Sequence, residues 1–381
     1  MKIAHIVCKF SPYSCGMGSV AFEQAKRLTD NHEIVVFALS HGKEKTGHNN
    51  FKTIWLKPLL RLGNGGLALS LLWQLKDFDI IQLHYPFFGS QEIIWLGKFL
   101  KIFKKPKLVI YYHTDAKLDN ILLKILSIPS KLINRGLFKK ADKVICSTLD
   151  YVRHSDISHI YEKHKSKFIE IPFGVKELMP ARESITSSKE KTILFVSNLD
   201  KAHYFKGVDI LIQAFKKVQS HIDFARLAIV GDGDLRKKYE DLAKRLNISN
   251  YITFIGKIGD RELASYYDQC DLCVVPAINA SEAFSLILIE AKSFGKAVVA
   301  SDLPGVRQVA IDNQSGLLAK PGDITDLATK IEELLKNDKL RADMGQRGQQ
   351  IVQQKYNWDK HIQKLEAVYN SVLTNSRTRL K

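Results

Sequence analysis

The chain has 381 residues, too many for one ordinary core and suited to two α/β domains of usual size. Hydrophobic residues make up 45% and charged residues 25%, the balance of a folded globular protein and not of a disordered one. The net charge of +17 is uneven: residues through Lys176 hold 27 Lys and Arg against 14 Asp and Glu, and the remainder hold 30 against 26. A basic first half predicts an anionic partner surface, for which nucleic acid and acidic lipid both qualify. No apolar run reaches the roughly 18 residues of a membrane span. The start, Met1 to Val7, enters a strand-like run without the apolar region and cleavage site of a signal peptide, so cytoplasmic residence is expected. The odd set of five cysteines fits a reducing compartment, and the lone CxxC at Cys270 and Cys273 opens an apolar run that reads as core.

Short Val- and Ile-rich runs alternate with amphipathic helical patterns, the signature of parallel sheets covered by helices. The first half predicts strands over 2–7, 33–39, 79–84, 107–113, 142–147 and 167–171, with helices over 18–29, 66–76, 90–103, 119–139 and 148–163. The polar stretch Glu183–Glu190 reads as a linker. Strands are then expected over 192–197, 225–230, 251–255, 271–275 and 296–300, helices over 207–219, 235–246, 260–268 and 284–293, and helical patterns after Asp323. The fold class is therefore α/β, two Rossmann-like doubly wound domains. Ligands of such sheets collect at the carboxyl ends of the strands, so a cleft between the domains is the expected site.

Several residues are placed for chemistry. Gly16 and Gly18 stand in the first βα turn, where glycine admits close approach of a ligand and a helix N-terminus favours anions; the same residues also make a plain tight turn. His113 leaves a buried strand at its carboxyl end, either as a site residue or as a histidine satisfied by a loop carbonyl. Lys206 precedes Gly207 at the start of a helix, a position that adds a full charge to a phosphate site or merely exposes a lysine. In Ser281–Ala291, Glu282 and Glu290 are eight residues apart, which on a continuous helix puts both carboxylates on roughly one face. Sugar and ribose hydroxyls suit such acids; a helix-dipole partner and a salt bridge are the alternatives. Asp77-Phe-Asp79 and Asp232-Gly-Asp234 have the DxD pattern of metal-dependent transferases but read as strand-edge and turn acids.

Taken in order, these residues resemble the retaining glycosyltransferase family 4, whose members have the two-Rossmann GT-B fold. The resemblance covers nearly the whole chain. Its motifs are the glycines at 16–18, His113, Lys206-Gly207, Gly231-Asp-Gly233, the Glu282/Glu290 pair, Leu303–Val306, Asn313–Gly316 and Tyr356-Asn-Trp358. It implies an acceptor domain over 1–175, a nucleotide-sugar domain over 176–357, and a last helix near 358–381 that packs back on the first domain. It further implies that Lys206 neutralises the donor diphosphate. Glu282 and the amides of Ala283, Phe284, Ser285 and Leu286 contact the donor sugar, and Glu290 binds the ribose. Lys257 and Ile258 pack on the base, His113 lies beside the anomeric centre, and Gly16 admits the diphosphate. Where the family has Gly-Arg, this chain has Ser197-Asn198, so Asn198, Lys201 and His203 are the candidates to complete the phosphate contacts.

The implied activity is retaining transfer of a hexose-type sugar from a nucleoside-diphosphate sugar, with no metal and no resident cofactor. The basic runs 98–107 and 117–140 are interleaved with Leu and Ile, as in helices that lie on anionic membranes. The acceptor is accordingly expected to be a glycolipid or saccharide of the cell envelope, with the protein peripheral on the inner face of the membrane. A soluble transferase or phosphorylase acting on small sugars is the alternative, ahead of a non-catalytic sugar-nucleotide-binding module. Nucleic acid is excluded as partner because the basic clusters carry no nucleic-acid motif.

Overall fold

The computed structural model describes residues 1–10, 16–40, 42, 50–115, 128–179 and 190–377. The chain divides into two compact units, Met1–Phe173 with Asp359–Lys381, and Gly174–Trp358.

The first unit is built on β1 (Lys2–Val7), β2 (Glu33–Leu39), β3 (Lys52–Leu56), β6 (Ile80–Tyr85), β7 (Lys107–Tyr112), β8 (Lys143–Cys146) and β9 (Phe168–Glu170), with β4 (Arg61–Leu62) and β5 (Gly65–Gly66) forming a separate small hairpin. The sheet order is β3-β2-β1-β6-β7-β8-β9, and every neighbouring pair is parallel. Parallel strands are covered on both faces, which is why Ile80–Tyr85 is buried at all six positions although it includes Gln82 and His84. The helix Trp358–Arg377 belongs here from Asp359 onward and buries Leu365 and Tyr369 completely.

The second unit contains β10 (Lys191–Val196), β11 (Ala225–Val230), β12 (Ile252–Gly256), β13 (Leu272–Val275), β14 (Ala297–Ser301) and β15 (Gly316–Ala319), ordered β12-β11-β10-β13-β14-β15 and again parallel. Its helix Val208–His221 turns Val208, Leu211, Ile212, Phe215 and Val218 inward, a helical spacing that lays one apolar stripe on the sheet. Both sheets reverse direction of winding once, between β1 and β6 and between β10 and β13, the topological switch points where α/β sheets bind ligands.

Five local expectations are corrected. The helix expected over 66–76 is reduced to Leu71–Gln74, because Gly65-Gly66 pairs in the hairpin and Gly89 packs on the Gly66 carbonyl. The helix expected over 148–163 is two short helices, Leu149–Arg153 and Ser158–Lys163. Strands β3 and β15 were not expected. Gly16 and Gly18 lie in the first turn of the helix Gly16–Leu28 and not in a loop before it. Finally, the helix expected from 284 begins at Leu286. The chain just before Gly16, residues 116–127 of the basic segment and all of the linker but Glu190 lie outside the described residues.

Candidate active site

In the second unit the chain leaves β10 through Ser197-Asn198 and the short 3₁₀ turn Lys201–Lys206, and leaves β13 through Pro276–Ser285. Gly207 joins them. Its φ is +71°, and a Cβ there would stand 2.1 Å from the Pro276 carbonyl oxygen, so only glycine lets the two connections touch. The amide of Ile278 donates to the Phe205 carbonyl at 2.8 Å. Lys206 is thereby laid against Glu282, and its ammonium donates to the Glu282 carboxylate. The side chains are only 18% and 8% exposed, so each depends on the other for charge compensation.

Glu282 and Glu290 do not share a helix face. The helix Leu286–Ser293 contains only Glu290, because Ser285 has φ 67° and ψ 94° and interrupts helical geometry ahead of it. Ser285 is 4% exposed, and its hydroxyl is buried without a partner among the described residues. The first-turn amides of this helix have no intrahelical acceptor, as at any helix start. Glu290 accepts from the Tyr267 hydroxyl at 2.8 Å, and burial pushes its carboxyl up to about 7 against the effect of that hydrogen bond.

The remaining second-unit candidates are more exposed. Asn198 and Lys257 are exposed and Ile258 is half-buried. Lys201 projects into solvent 3.9 Å from Asp234, and His203 Nδ1 lies 2.7 Å from the Asp200 carboxylate. Gly231 and Gly233 fold directly over the 197–200 segment: a Cβ at Gly231 would meet the Ser197 carbonyl oxygen at 1.7 Å. Three of the four DxD acids accept from backbone amides, Asp79 from Lys2 N at 2.7 Å, Asp232 from Gly233 N at 2.8 Å and Asp234 from Lys201 N at 2.9 Å. Among the described residues no cluster of metal-ligating side chains occurs.

In the first unit, His113 follows β7 and its amide donates to the Tyr85 carbonyl at 3.1 Å. Its ring stacks on Tyr111 and His84, and its Nε2 lies 2.9 Å from His84 Nδ1. Behind it stand His5, Gln24, Gln82, His361 and Tyr369, all buried and mutually hydrogen-bonded. Burial lowers the imidazoles of His5 and His113 to about 3 and that of His361 to about 4, so all are neutral near pH 7. This network was missed from sequence. Its signal was the polar pair Gln82 and His84 inside an otherwise apolar strand. A methyl group on Gly16 would meet no described atom within 4 Å.

Two parallel doubly wound sheets, each with polar and charged groups gathered beside its switch point, define a two-Rossmann protein of the GT-B type. Family models agree: residues 180–351 match Glycosyl transferases group 1 and residues 15–154 match Glycosyltransferase Family 4. The N-acetyl-alpha-D-glucosaminyl L-malate synthase of Bacillus anthracis is 30% identical over 320 residues, covering 80% of this chain and 77% of its own. A phosphatidyl-myo-inositol mannosyltransferase of Mycobacterium leprae is 29% identical over 312 residues, covering 78% and 75%. Among solved structures, Anabaena HepE in complex with UDP superposes with TM-score 0.77 at 19% identity, over 97% of this chain and 100% of that one, which bears on fold alone. The chain belongs to the group 1 glycosyltransferases, the class that includes family 4.

Proposed function

We propose that this glycosyltransferase is retaining and metal-independent, and moves a hexose-type sugar from a nucleoside-diphosphate donor to a lipid-linked or saccharide acceptor of the cell envelope. The observation that carries the reading is the Lys206–Glu282 pair at the second switch point. Lys206 meets the diphosphate and stabilises the departing nucleoside diphosphate, while Glu282 and the backbone from Ala283 to Leu286 take the donor sugar. Glu290 accepts the ribose hydroxyls, Lys257 and Ile258 pack on the base, and Asn198 and Lys201 add to the phosphate contacts. His203 is the weaker candidate for that role because Asp200 already holds its ring. Gly16 and Gly18 admit the diphosphate, and His113 contacts the donor sugar. In the transfer the acceptor oxygen bonds to the anomeric carbon as the bond to the phosphate oxygen breaks, and the acceptor proton passes to that departing oxygen.

The acceptor side of the proposal rests on the first unit's surface. The large apolar side chains Leu59, Leu60, Trp73, Phe99, Leu100 and Leu132 are exposed there, as are the basic residues Lys101, Lys131 and Arg135 on or next to the same elements. The helix Leu71–Gln74 packs on Ser90–Phe99, which packs on Ile128–Lys140, so three of the elements bearing these residues are contiguous. Apolar side chains set among basic ones suit an anionic lipid surface, with the protein peripheral on the inner face of the membrane. Among the described residues no helix is long and apolar enough to cross a membrane. A second reading, a small soluble acceptor, is favoured by the relative whose name specifies malate.

The test is turnover and binding with a panel of UDP-, GDP- and ADP-sugars, with and without EDTA, and with acceptor supplied in lipid or in solution. One donor turning over in EDTA supports the reading, and loss of activity in EDTA refutes metal independence. Flotation with phosphatidylglycerol vesicles that does not depend on the anionic lipid removes the membrane proposal.

A further inference from the structure

Seven buried polar side chains of the first unit form one network of hydrogen bonds ending at His113, and its direction is fixed at the far end by Pro172 and in the middle by His5. The Pro172 carbonyl can only accept, so His361 Nδ1, 2.7 Å away, carries the proton of that neutral ring. His361 Nε2 must then accept, which it does from Gln24 Nε2 at 2.9 Å. Gln24 Oε1 accepts in turn from Gln82 Nε2 at 2.8 Å, and Gln82 Oε1 accepts from the Tyr369 hydroxyl. Both amide orientations are thus determined.

The second N–H of Gln82 faces two ring nitrogens, His84 Nε2 at 3.1 Å and His5 Nδ1 at 3.3 Å, which are themselves 3.1 Å apart. A proton on one of those nitrogens makes the bond between the rings. Were it on His84, the neutral His5 ring would carry its own proton on Nε2, a buried N–H with no partner among the described residues. With the proton on His5 Nδ1, only a lone pair is left unpartnered, and an orphaned buried N–H is the rarer and costlier of the two. The shorter Gln82 contact also falls on His84 Nε2, as an acceptor there requires. The proton of His84 therefore lies on Nδ1 and is donated to His113 Nε2 at 2.9 Å. That leaves the proton of His113 on Nδ1.

We propose that this chain locks His113 as a hydrogen-bond donor, its Nδ1–H offered to an oxygen of the bound donor sugar, with His84 the residue that positions it. The proposal rests on the donor reading above and deepens it. With Nε2 filled by the His84 proton and Nδ1 by its own, His113 has no free lone pair with which to act as a base. The acceptor proton is left to the departing phosphate.

The experiment is in two parts. Long-range proton–nitrogen spectra of full-length protein labelled with ¹⁵N-histidine, with His113 assigned by its loss in His113→Asn, are expected to show the proton of His113 on Nδ1. A proton on Nε2 overturns the proposal, and this measurement needs no ligand. The second part compares UDP-glucose and GDP-mannose with UDP and GDP. His113→Asn keeps an N–H near the Nδ1 position and is expected to retain kcat/KM within about tenfold, whereas His113→Asp, which only accepts, loses about a hundredfold. His84→Phe keeps the stacked ring and is expected to raise the KM for the sugar nucleotide about tenfold while leaving binding of the free nucleotide unchanged. Equal losses in the Asn and Asp variants, or parallel loss of free-nucleotide binding in His84→Phe, overturn the assigned roles. Failure of the wild type to bind any of the four nucleotides overturns the donor reading and the sugar contact with it, but leaves the proton position decided by the spectra.

Discussion

Replacing Ser285 by glycine should stabilise the second unit. Ser285 holds φ 67° with a side chain that disfavours it, at a cost of about 1–3 kcal/mol. Its hydroxyl is 96% removed from solvent together with the rest of the residue and has no partner among the described residues, which adds about 1–3 kcal/mol. Glycine relieves both and returns about 0.5–1 kcal/mol through the greater freedom of the unfolded chain. The net gain is about 1–3 kcal/mol even when part of each cost is already relaxed. For a unit the size of Gly174–Trp358 each kcal/mol moves the midpoint by about 2–4 °C. Ser285→Gly should therefore raise the midpoint of that unit by about 2–12 °C, and Ser285→Ala, which removes the hydroxyl but keeps the strained backbone, by less. Differential scanning calorimetry of the ligand-free protein reads both. A Ser285→Gly midpoint at or below that of wild type refutes the reasoning, because neither backbone strain nor the unpaired hydroxyl would then be carried by the native state. A fall in turnover alongside the gain in stability would show that the cost is retained for the ligand.

Three further outcomes are expected. Lys206→Ala should lower turnover of the donor about 10²–10³-fold, as for loss of one preorganised group facing developing charge, and a loss below threefold would remove Lys206 from the phosphate site. Gly207→Ala should destabilise the second unit by at least about 2 kcal/mol, since the methyl group meets the Pro276 oxygen at 2.1 Å and φ is +71°; urea unfolding with an unchanged midpoint would contradict this. The buried histidines make the first unit acid-sensitive. His5, His113 and His361 have folded values of about 3, 3 and 4 against 6.5 unfolded, so their contribution is complete above pH 6.5 and lost as pH falls toward those values. Each removes up to about 2 kcal/mol by pH 5. Hydrogen exchange should show the first unit opening before the second as pH is lowered, and simultaneous opening would show that the cluster is not what sets acid stability.

The strand runs were legible because parallel strands buried on both faces read as continuous apolar segments, as in Lys107–Tyr112 and Ala225–Val230. β3 escaped notice because four of its five positions are exposed or half-buried, which weakens the apolar signal of an edge strand. β15 is only four residues long. Lys206 and Glu282 could be named from sequence, yet not their contact, which depends on the Gly207 turn and joins residues 76 apart. The helix begins at Leu286, later than its apolar pattern predicts, because nothing in Ala283-Phe284-Ser285 announces a serine at positive φ. The polar chain behind His113 was illegible for a different reason. It joins positions 5, 24, 82, 84, 113 and 361, and no local pattern reports partners that meet through the sheet, the helix Gly16–Leu28 and the last helix.

That last helix accounts for the cost of burying so many polar groups in the first unit. His361 and Tyr369 lie on it two turns apart and reach the Pro172 carbonyl after β9, Gln24 on the helix Gly16–Leu28 and Gln82 on β6. Without them two glutamine amides would lose partners in a region closed to water, at about 1–3 kcal/mol for each group left unsatisfied. The orientation of Gln82 would also be free to reverse, and with it the direction of every bond from Gln82 to His113. Apolar residues of similar volume would hold the helix on the sheet as well or better, since burial alone needs no hydrogen bonds. What apolar packing could not supply is a direction. The polar chain carries one, from a carbonyl that can only accept to an imidazole left only able to donate, and this is the property by which a helix ending the described chain is coupled to a ring at the carboxyl end of β7.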